Sequence, residues 1–475
     1  MDKRIQMRKK SARMRIRMKE TKENKIIEGV IWKQLLLFFF PIMIGTFFQQ
    51  LYNTIDAVVV GQFAGKEALS SVGGSSAQII NLVVGFFTGL SAGASVIISQ
   101  LFGAKDGEGL KKALHSAYAF SIVGGILCGI LGVLFAKPLL TIMNTPQELL
   151  AQSTLYVRVY FSGLIFIFVY NMGSAILRAI GDSKRPLYYL MICSVINIAL
   201  DLLLVLGFHL GVAGVAIATL ISQAVSAVMV TAALMYRTPG LKLIPAEIRF
   251  HREEFSTMLR IGLPTGIQSS MYSISNMIVQ TVLNNFGVDT MAAWAVFGKI
   301  DSLFWMVNGA FGIAITTFVG QNCGAGKWDR VKKGVHVCLG MALVTALAFS
   351  AVFLSEGALL FRIFTQDKSV ITIGLRMVAV ISPTYFLFVF IEILSGALRA
   401  EGHVLVTTVM TLSGICLLRI LWVTLIVPNG TLEEIVACYP VTWAICAVGM
   451  ILYYWYKQRK IFAQQKLKTS LENVR

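Results

Sequence analysis

Apolar runs long enough to cross a lipid bilayer recur along almost the whole chain. A run of about 20 apolar residues, folded as an α-helix, spans the ~30 Å hydrocarbon core of a membrane. The composition agrees, because 56% of the residues are hydrophobic, 14% are charged, and the mean hydropathy is +0.72. These features predict an all-α polytopic membrane protein. We predict twelve transmembrane helices, near residues 34–60, 68–101, 113–136, 149–177, 186–207, 211–236, 259–285, 291–321, 334–355, 369–398, 404–428 and 435–456.

The net charge of +18 is concentrated at the two ends of the chain. Residues 1–33 carry a charge of +8 and residues 457–475 carry +5. Basic residues beside membrane helices mark the cytoplasmic side, and they bind anionic lipid at about 1 kcal/mol each. We therefore expect a multi-pass protein of the cell membrane with both termini in the cytoplasm. Membrane lipid is the expected partner of the tails, and nucleic acid is not.

The second half of the sequence repeats the first at an offset of 221 to 223 residues. AILRAIG (175–181) recurs as GALRAEG (396–402), and Pro41 and Asn53 recur as Pro264 and Asn276. A third segment repeats Gln100, Gly103, Ala104, Lys111, Lys112 and His115 as Gln321, Gly324, Ala325, Lys332, Lys333 and His336. Six spans per half give both halves the same orientation, which is a parallel internal repeat.

The repeat predicts two six-helix lobes and the segments that flank them. The N-lobe covers 34–236 and the C-lobe covers 259–456, joined by a polar cytoplasmic linker at 237–258. The basic cytoplasmic tails are 1–33 and 457–475.

Two carboxylates lie inside predicted spans of the N-lobe, Asp56 in the first and Asp201 in the fifth. A charged side chain at bilayer depth costs about 2.5–3.5 kcal/mol, so it is rare without a function. Asn197 lies four residues before Asp201 and therefore shares its helix face. The repeat aligns Asp56, Asn197, Asp201 and Thr219 with Val279, Leu418, Trp422 and Pro440, so the C-lobe lacks the whole set.

These four oxygen-bearing residues predict a cation-coupling site. Carboxylate, amide and hydroxyl oxygens suit a hard cation such as Na⁺, or a proton shared between carboxylates. The alternative is a pair of carboxylates that only stabilises helix packing. Pro41, early in the first span, predicts either a helix-bending element or a static kink.

Other intramembrane charges fall in the C-lobe. Glu392, Asp301 and Lys299 are candidates for a substrate or proton site, and Arg419 lies in the eleventh span. Lys299 and Asp301 are two residues apart and so do not face each other on one helix.

No phosphate-binding loop of the GxxxxGK[ST] type, clustered metal ligands or nucleophile–base pair is present in the sequence. We therefore predict a transporter without enzymatic activity and without a cofactor, driven by Na⁺ or H⁺. No metal is expected beyond Na⁺ at the four-residue site. A flippase for a lipid-linked saccharide is the nearest alternative, although it would favour a cationic cavity.

Several segments together resemble the MATE family, the multidrug and toxin extrusion transporters. They are LYNTIDAVVVGQFAGKEALSSVG, the GQxxGA at 320–325 with its SQxxGA counterpart at 99–104, LRAIGDSKRP, and NIALDLLLVLG with GVAGVAIATLISQ. The resemblance covers residues 34–456. It implies two six-helix lobes around a central cavity and alternating access. It also implies export of cationic, amphipathic small molecules by antiport with Na⁺ or H⁺, and we expect a monomer.

In members of this family the N-lobe cation site corresponds to Asp56, Asn197, Asp201 and Thr219 of this sequence. Some members also use acids in the seventh helix, and the corresponding stretch IQSSMYSISNMIVQTVLNNFG has none. A second coupling site would then depend on Glu392.

Overall fold

The computed structural model describes residues 25–238, 240–427 and 430–473, and these contain helices and turns without a β-strand. Residues 1–24 of the predicted N-terminal tail and the last two residues of the C-terminal tail lie outside the described residues. Twelve long helical segments occur in the described residues, and we label them α1 to α12. Their bounds are Ile31–Gly73, Ser75–Gly103, Gly107–Ile142, Gln147–Ala179, Lys184–Gly207, Gly211–Tyr236, Arg252–Asn284, Val288–Gly324, Trp328–Arg362, Lys368–Ala400, Val404–Ile426 and Leu432–Asn473.

Each predicted span coincides with one of these segments, and the prediction of an all-α polytopic membrane protein is confirmed. Ten helices of the described chain are long and apolar enough to cross a membrane. α4 is an eleventh if its two halves, bent by 48° at Gly163, form one span. α7 does not reach the same apolarity, because it begins with charged residues and carries a run of serines and other polar residues in its middle.

The predicted boundary between the first two spans was wrong. The second span was expected to begin at residue 68, but α1 continues to Gly73 and α2 begins at Ser75. Gly74 has φ −81° and ψ −127°, which interrupts the helix. α1 also changes to a π-helix over Val60–Ala64 and is interrupted at Gly65 (φ 90°, ψ 174°), after which the α-helical stretch Gly65–Gly73 completes it.

The chain divides into two compact units. Unit 1 contains the described residues up to Gly266 together with Gly324–Gly326, and unit 2 contains Ile267–Cys323 and the residues from Lys327 onward. The first half of α7 therefore belongs to unit 1. Within unit 1, α5 packs against α1 and α6, and both halves of α4 pack against α3 and α6. These contacts place α1, α5 and α6 side by side.

The first half of α7 approaches α2 at glycines. A Cβ atom on Gly93 of α2 would lie 2.6 Å from the backbone nitrogen of Gly262, and one on Gly89 would lie 2.6 Å from that of Gly266. Both helices therefore carry a glycine pair spaced four residues apart at their contact. Small residues at this spacing allow membrane helices to approach backbone to backbone.

The segment between α6 and α7 is held against the start of α3. Buried His115 accepts a hydrogen bond at Nε2 from the Ile244 backbone N–H (3.0 Å), and the His251 N–H donates to Ser116 Oγ (2.8 Å). His115 Nδ1 lies 2.7 Å from the Lys111 carbonyl oxygen, so it carries the ring proton. These contacts fix the linker between α6 and α7 to the N-terminal part of α3.

Candidate functional site

The contact between α1 and α5 contains the two predicted acids. Asp201 is the last α-helical residue of α5 and is completely buried, and Asp56 on α1 is partly buried. Their carboxyl groups lie close enough to interact directly. Asn197, one helical turn before Asp201, is also completely buried. The structure therefore brings together three of the four residues that the repeat singled out.

This group is deficient in hydrogen bonds. Within the described residues, no partner is present for Asp56 Oδ1, for either Asp201 oxygen, or for either polar atom of the Asn197 amide. A buried polar atom without a partner costs roughly 1–3 kcal/mol, and more for a charged one. A bound cation or a shared proton would supply what these oxygens lack. The arrangement is therefore suited to binding a small hard cation or a proton.

Thr219 lies on the face of α6 that meets α5. Thr219, Ser222 and Ser226 are spaced three and four residues apart, so they share one helix face. Cys193 of α5 lies beside both serines. α5 and α6 are consecutive and antiparallel. Asn197 lies one turn after Cys193 on α5, so its neighbours on α6 lie about one turn before Ser222 and Ser226, near Thr219. Thr219 Oγ1 donates to the Val215 carbonyl oxygen (3.0 Å), which leaves the oxygen able to accept or coordinate.

Both acids are followed closely by π-helical turns. The π-helix Leu202–Gly207 begins directly after Asp201, and Val60–Ala64 begins four residues after Asp56. The two π-helical turns contact each other. π-Helical turns often occur at functional sites, because they change the direction of side chains and backbone carbonyls. Nothing in the residue pattern predicted them.

Three tyrosines near the carboxyls were missed by sequence reasoning. Tyr52, Tyr156 and Tyr160 lie within electrostatic range of Asp56, and Tyr156 is also near Asp201. Tyr52 is four residues before Asp56, so helical spacing could have identified it. Tyr156 and Tyr160 belong to α4, and only the tertiary fold brings them to α1. Their hydroxyl groups place further oxygen atoms near the acidic group, but in the described residues none of them hydrogen-bonds to Asp56 Oδ1 or to either Asp201 oxygen.

Pro41 is buried within α1, and the α-helix continues through it from Ile31 to Val59. The departure from α-helical geometry lies further along, at Val60–Ala64. A bend at Pro41 stays a prediction.

The three C-lobe candidates do not form one cluster in unit 2. Asp301 accepts hydrogen bonds from Tyr385 Oη and Trp305 Nε1, whereas Lys299 is exposed. Glu392 of α10 lies against Gly312 of α8, where a Cβ atom would collide with the carboxylate. Gly312 is eleven residues after Asp301, which is about 16 Å along a helix. The two acids therefore lie at different depths.

The family model MatE matches residues 41–203 and 264–424, which together cover more than half of the chain. The chain belongs to the MatE family. The two matched ranges of this MatE protein begin at Pro41 and Pro264, the same pair that the repeat aligned. The first match includes Asp56, Asn197 and Asp201, and Thr219 lies outside both.

Sequence relatives of this MatE protein include bacterial drug-resistance proteins. The probable multidrug resistance protein YoeA of Bacillus subtilis (strain 168) is 29% identical over 442 residues, covering 90% of this chain and 94% of YoeA. The multidrug export protein MepA of Staphylococcus aureus (strain NCTC 8325 / PS 47) is 24% identical over 403 residues, covering 83% and 87%.

Solved structures share the fold. A MATE transporter in the bent conformation matches with a TM-score of 0.87 at 22% identity, covering 94% of this chain and 99% of that chain. The outward-facing conformation of a multidrug resistance MATE family transporter of the MOP superfamily gives 0.86 at 22% identity, covering 93% and 98%. At this identity the likeness establishes the fold.

Proposed function

We propose that this MatE protein exports organic, mostly cationic and amphipathic compounds from the cell in exchange for Na⁺ or H⁺. The observation that carries the proposal is the buried acidic group at the contact of α1 and α5, where Asp56 Oδ1 and both Asp201 oxygens have no hydrogen-bond partner among the described residues. The names of YoeA and MepA support drug export as the activity. The basic tails support a cell-membrane protein with both termini in the cytoplasm.

The proposed coupling follows from the chemistry of two neighbouring carboxylates. Two anions close together in a poorly solvated place repel each other, and a proton or Na⁺ between them removes that repulsion. The site thus has two states, with and without the cation. Asn197 and Thr219 add neutral oxygens that can coordinate Na⁺ or accept a hydrogen bond. A cation can drive export only if it binds the two transport states with different affinity.

Drug exchange in proteoliposomes tests the proposal, with Na⁺ and pH gradients imposed separately. We expect Asp56→Asn and Asp201→Asn each to abolish gradient-driven export, because a neutral amide cannot take part in cation exchange. Glu67→Gln is the matched control, since Glu67 is an exposed carboxyl on the same helix, α1. Normal export by either Asp variant, with correct insertion, would rule out the proposed coupling site.

The same assay separates the two coupling ions and tests the second unit. Export that responds only to the Na⁺ gradient or only to the pH gradient identifies the ion. Glu392→Gln should alter export if Glu392 binds substrate or protons, and Asp301→Asn is its comparison at a different depth. Unchanged export by both Glu392→Gln and Asp301→Asn would argue against a proton-coupling acid in unit 2.

A further inference from the structure

Arg419 is a buried cation inside a membrane-spanning helix of unit 2. It lies on α11 between two π-helical turns, Leu412–Leu417 and Trp422–Ile426. Only 2% of its surface is exposed. A charged side chain at this depth is costly, and such residues usually face a partner or a transport pathway.

The partners of Arg419 are neutral. Its Nη1 donates to Asn276 Oδ1 (2.8 Å), and the guanidinium carbon lies 4.2 Å from the centre of the Tyr439 ring. Nε is buried and has no hydrogen-bond partner in the described residues. No ion pair among the described residues includes Arg419. An amide oxygen and an aromatic face compensate a guanidinium only in part, because buried charges are ordinarily paired with opposite charges.

Glu392 does not supply the missing negative charge. Although Tyr272 lies within electrostatic range of both Glu392 and Arg419, the cation that interacts with Glu392 is Arg399.

Asp301 lies within electrostatic range of Tyr439, the ring beside Arg419, but it accepts hydrogen bonds from Trp305 and Tyr385. Within the described residues of unit 2, the guanidinium therefore has no directly bonded anion.

The internal repeat relates the position of Arg419 to the acidic site of unit 1. Asn276 corresponds to Asn53 of α1, and Arg419 aligns next to Leu418, the counterpart of Asn197 of α5. The contact of α7 with α11 is thus the counterpart in unit 2 of the contact of α1 with α5 in unit 1. One contact carries two carboxyls and the other carries a guanidinium, so the two related contacts have opposite charge.

We propose that Arg419 forms a subsite for an anionic group, specifically a carboxylate of an exported zwitterionic compound, and that the Asn276 amide occupies this subsite until the compound binds. This inference rests on the proposed export function and names a class of substrate for it. A carboxylate that replaced the Asn276 amide oxygen would bring a full negative charge and could accept two parallel hydrogen bonds from the guanidinium, which a single amide oxygen cannot. The Asn276 side chain is exposed, so an incoming carboxylate would reach the guanidinium by displacing that amide.

Two fluorescent dyes that differ at one group provide the test. Rhodamine 110 carries a free carboxylate, and rhodamine 123 is its methyl ester. Fluorescence anisotropy with the purified full chain gives a Kd for each dye. We expect Arg419→Gln to weaken binding of rhodamine 110 by about tenfold to a hundredfold, the range for a lost hydrogen bond to a charged group. Binding of rhodamine 123 should change less than about twofold.

Control variants separate recognition from a structural role. Lys368→Gln removes an exposed cation from the start of α10, in the same unit, and should leave both affinities unchanged. Arg419→Lys keeps the charge but loses the planar fork, so it should bind rhodamine 110 with intermediate affinity. If Arg419→Gln does not fold, Asn276→Ala provides the test, because it frees the guanidinium and should favour the acid over the ester.

Equal changes for both dyes in Arg419→Gln, or no change for either, would overturn the inference. Equal changes in Asn276→Ala would do the same. If the anion subsite is refuted in this way, binding of rhodamine 123 that competes with Na⁺ or H⁺ would still support the proposed export function. Failure of the unmodified protein to bind either dye would count against both proposals.

Discussion

The close contact between α2 and α7 predicts a large cost for adding one methyl group. A Cβ on Gly93 would lie 2.6 Å from the Gly262 backbone nitrogen, and a Cβ on Gly262 would lie 2.6 Å from the Leu90 carbonyl oxygen. Ordinary van der Waals contact begins at 3.4 Å, so the gap must widen by roughly 0.8 Å. Because both partners are backbone atoms, no side-chain rotation can relieve the overlap.

We expect Gly93→Ala to lower the free energy of unfolding by about 1–3 kcal/mol, the usual cost of overpacking. Gly85→Ala is the matched control on the same helix, since a Cβ there meets no atom within 4 Å. The control should be neutral or slightly stabilising, because alanine favours the helix over glycine by up to about 1 kcal/mol. Denaturant titration of the purified protein in mixed micelles measures both values.

A double substitution sharpens the test. Gly93→Ala and Gly262→Ala demand the same separation of the helices, so the pair should cost less than the sum of the single changes. If the Gly93→Ala protein were as stable as the Gly85→Ala protein, the backbone contact between α2 and α7 would be refuted. Strict additivity would show that the two glycines do not share one contact.

Two further predictions concern groups at the ends of the membrane-spanning helices. His115→Ala should expose the Ile244 amide to hydrogen exchange, because it removes the acceptor of that amide. His336→Ala is the control and should not do so, because the exposed His336 ring bonds to a carbonyl of its own helix. Equal protection of the Ile244 amide in both variants would contradict the assigned contact. Burial raises the pKa of Glu401, between α10 and α11, from 4.5 to about 7, although Gln458 donates a hydrogen bond to it (3.0 Å). The folded protein then holds a proton that the unfolded chain releases, so its stability should fall as the pH rises from about 4.5 to 7. Glu401→Gln should lose this slope, and an unchanged slope in thermal unfolding would show that another group titrates.

The sequence predicted the helices well where composition alone decides them. The apolar runs matched the long helical segments, because a helix in hydrocarbon must satisfy its own backbone. The boundary at residue 68 failed for a local reason. The chain leaves helical geometry at Gly65 (φ 90°, ψ 174°) and again at Gly74. Both are glycines beside polar residues, so the pattern could not tell which of them separates the first two spans.

The acidic pair could be predicted because the repeat supplied an internal comparison. Asp56 and Asp201 stood out against the apolar Val279 and Trp422 at the related positions. Tyr156 could not be found in this way, because only tertiary packing brings α4 to α1. The π-helical turns were also out of reach, since they result from packing between helices and have no residue signature.

The contact of α1 with α5 carries carboxyls and the contact of α7 with α11 carries a guanidinium, so the two contacts should depend on pH in different ways. In the proposed mechanism, the carboxyls Asp56 and Asp201 exchange a proton or a cation during transport. Guanidinium groups do not act as proton carriers in proteins, so in the proposed mechanism only a bound ligand changes the charge balance at Arg419. Export of a methyl ester dye by Arg419→Gln should therefore keep its dependence on pH or Na⁺, whereas Asp201→Asn should lose it. Measuring export rates against pH and Na⁺ for both variants decides this. Loss of the dependence in Arg419→Gln would place part of the coupling in unit 2 and contradict the division of roles.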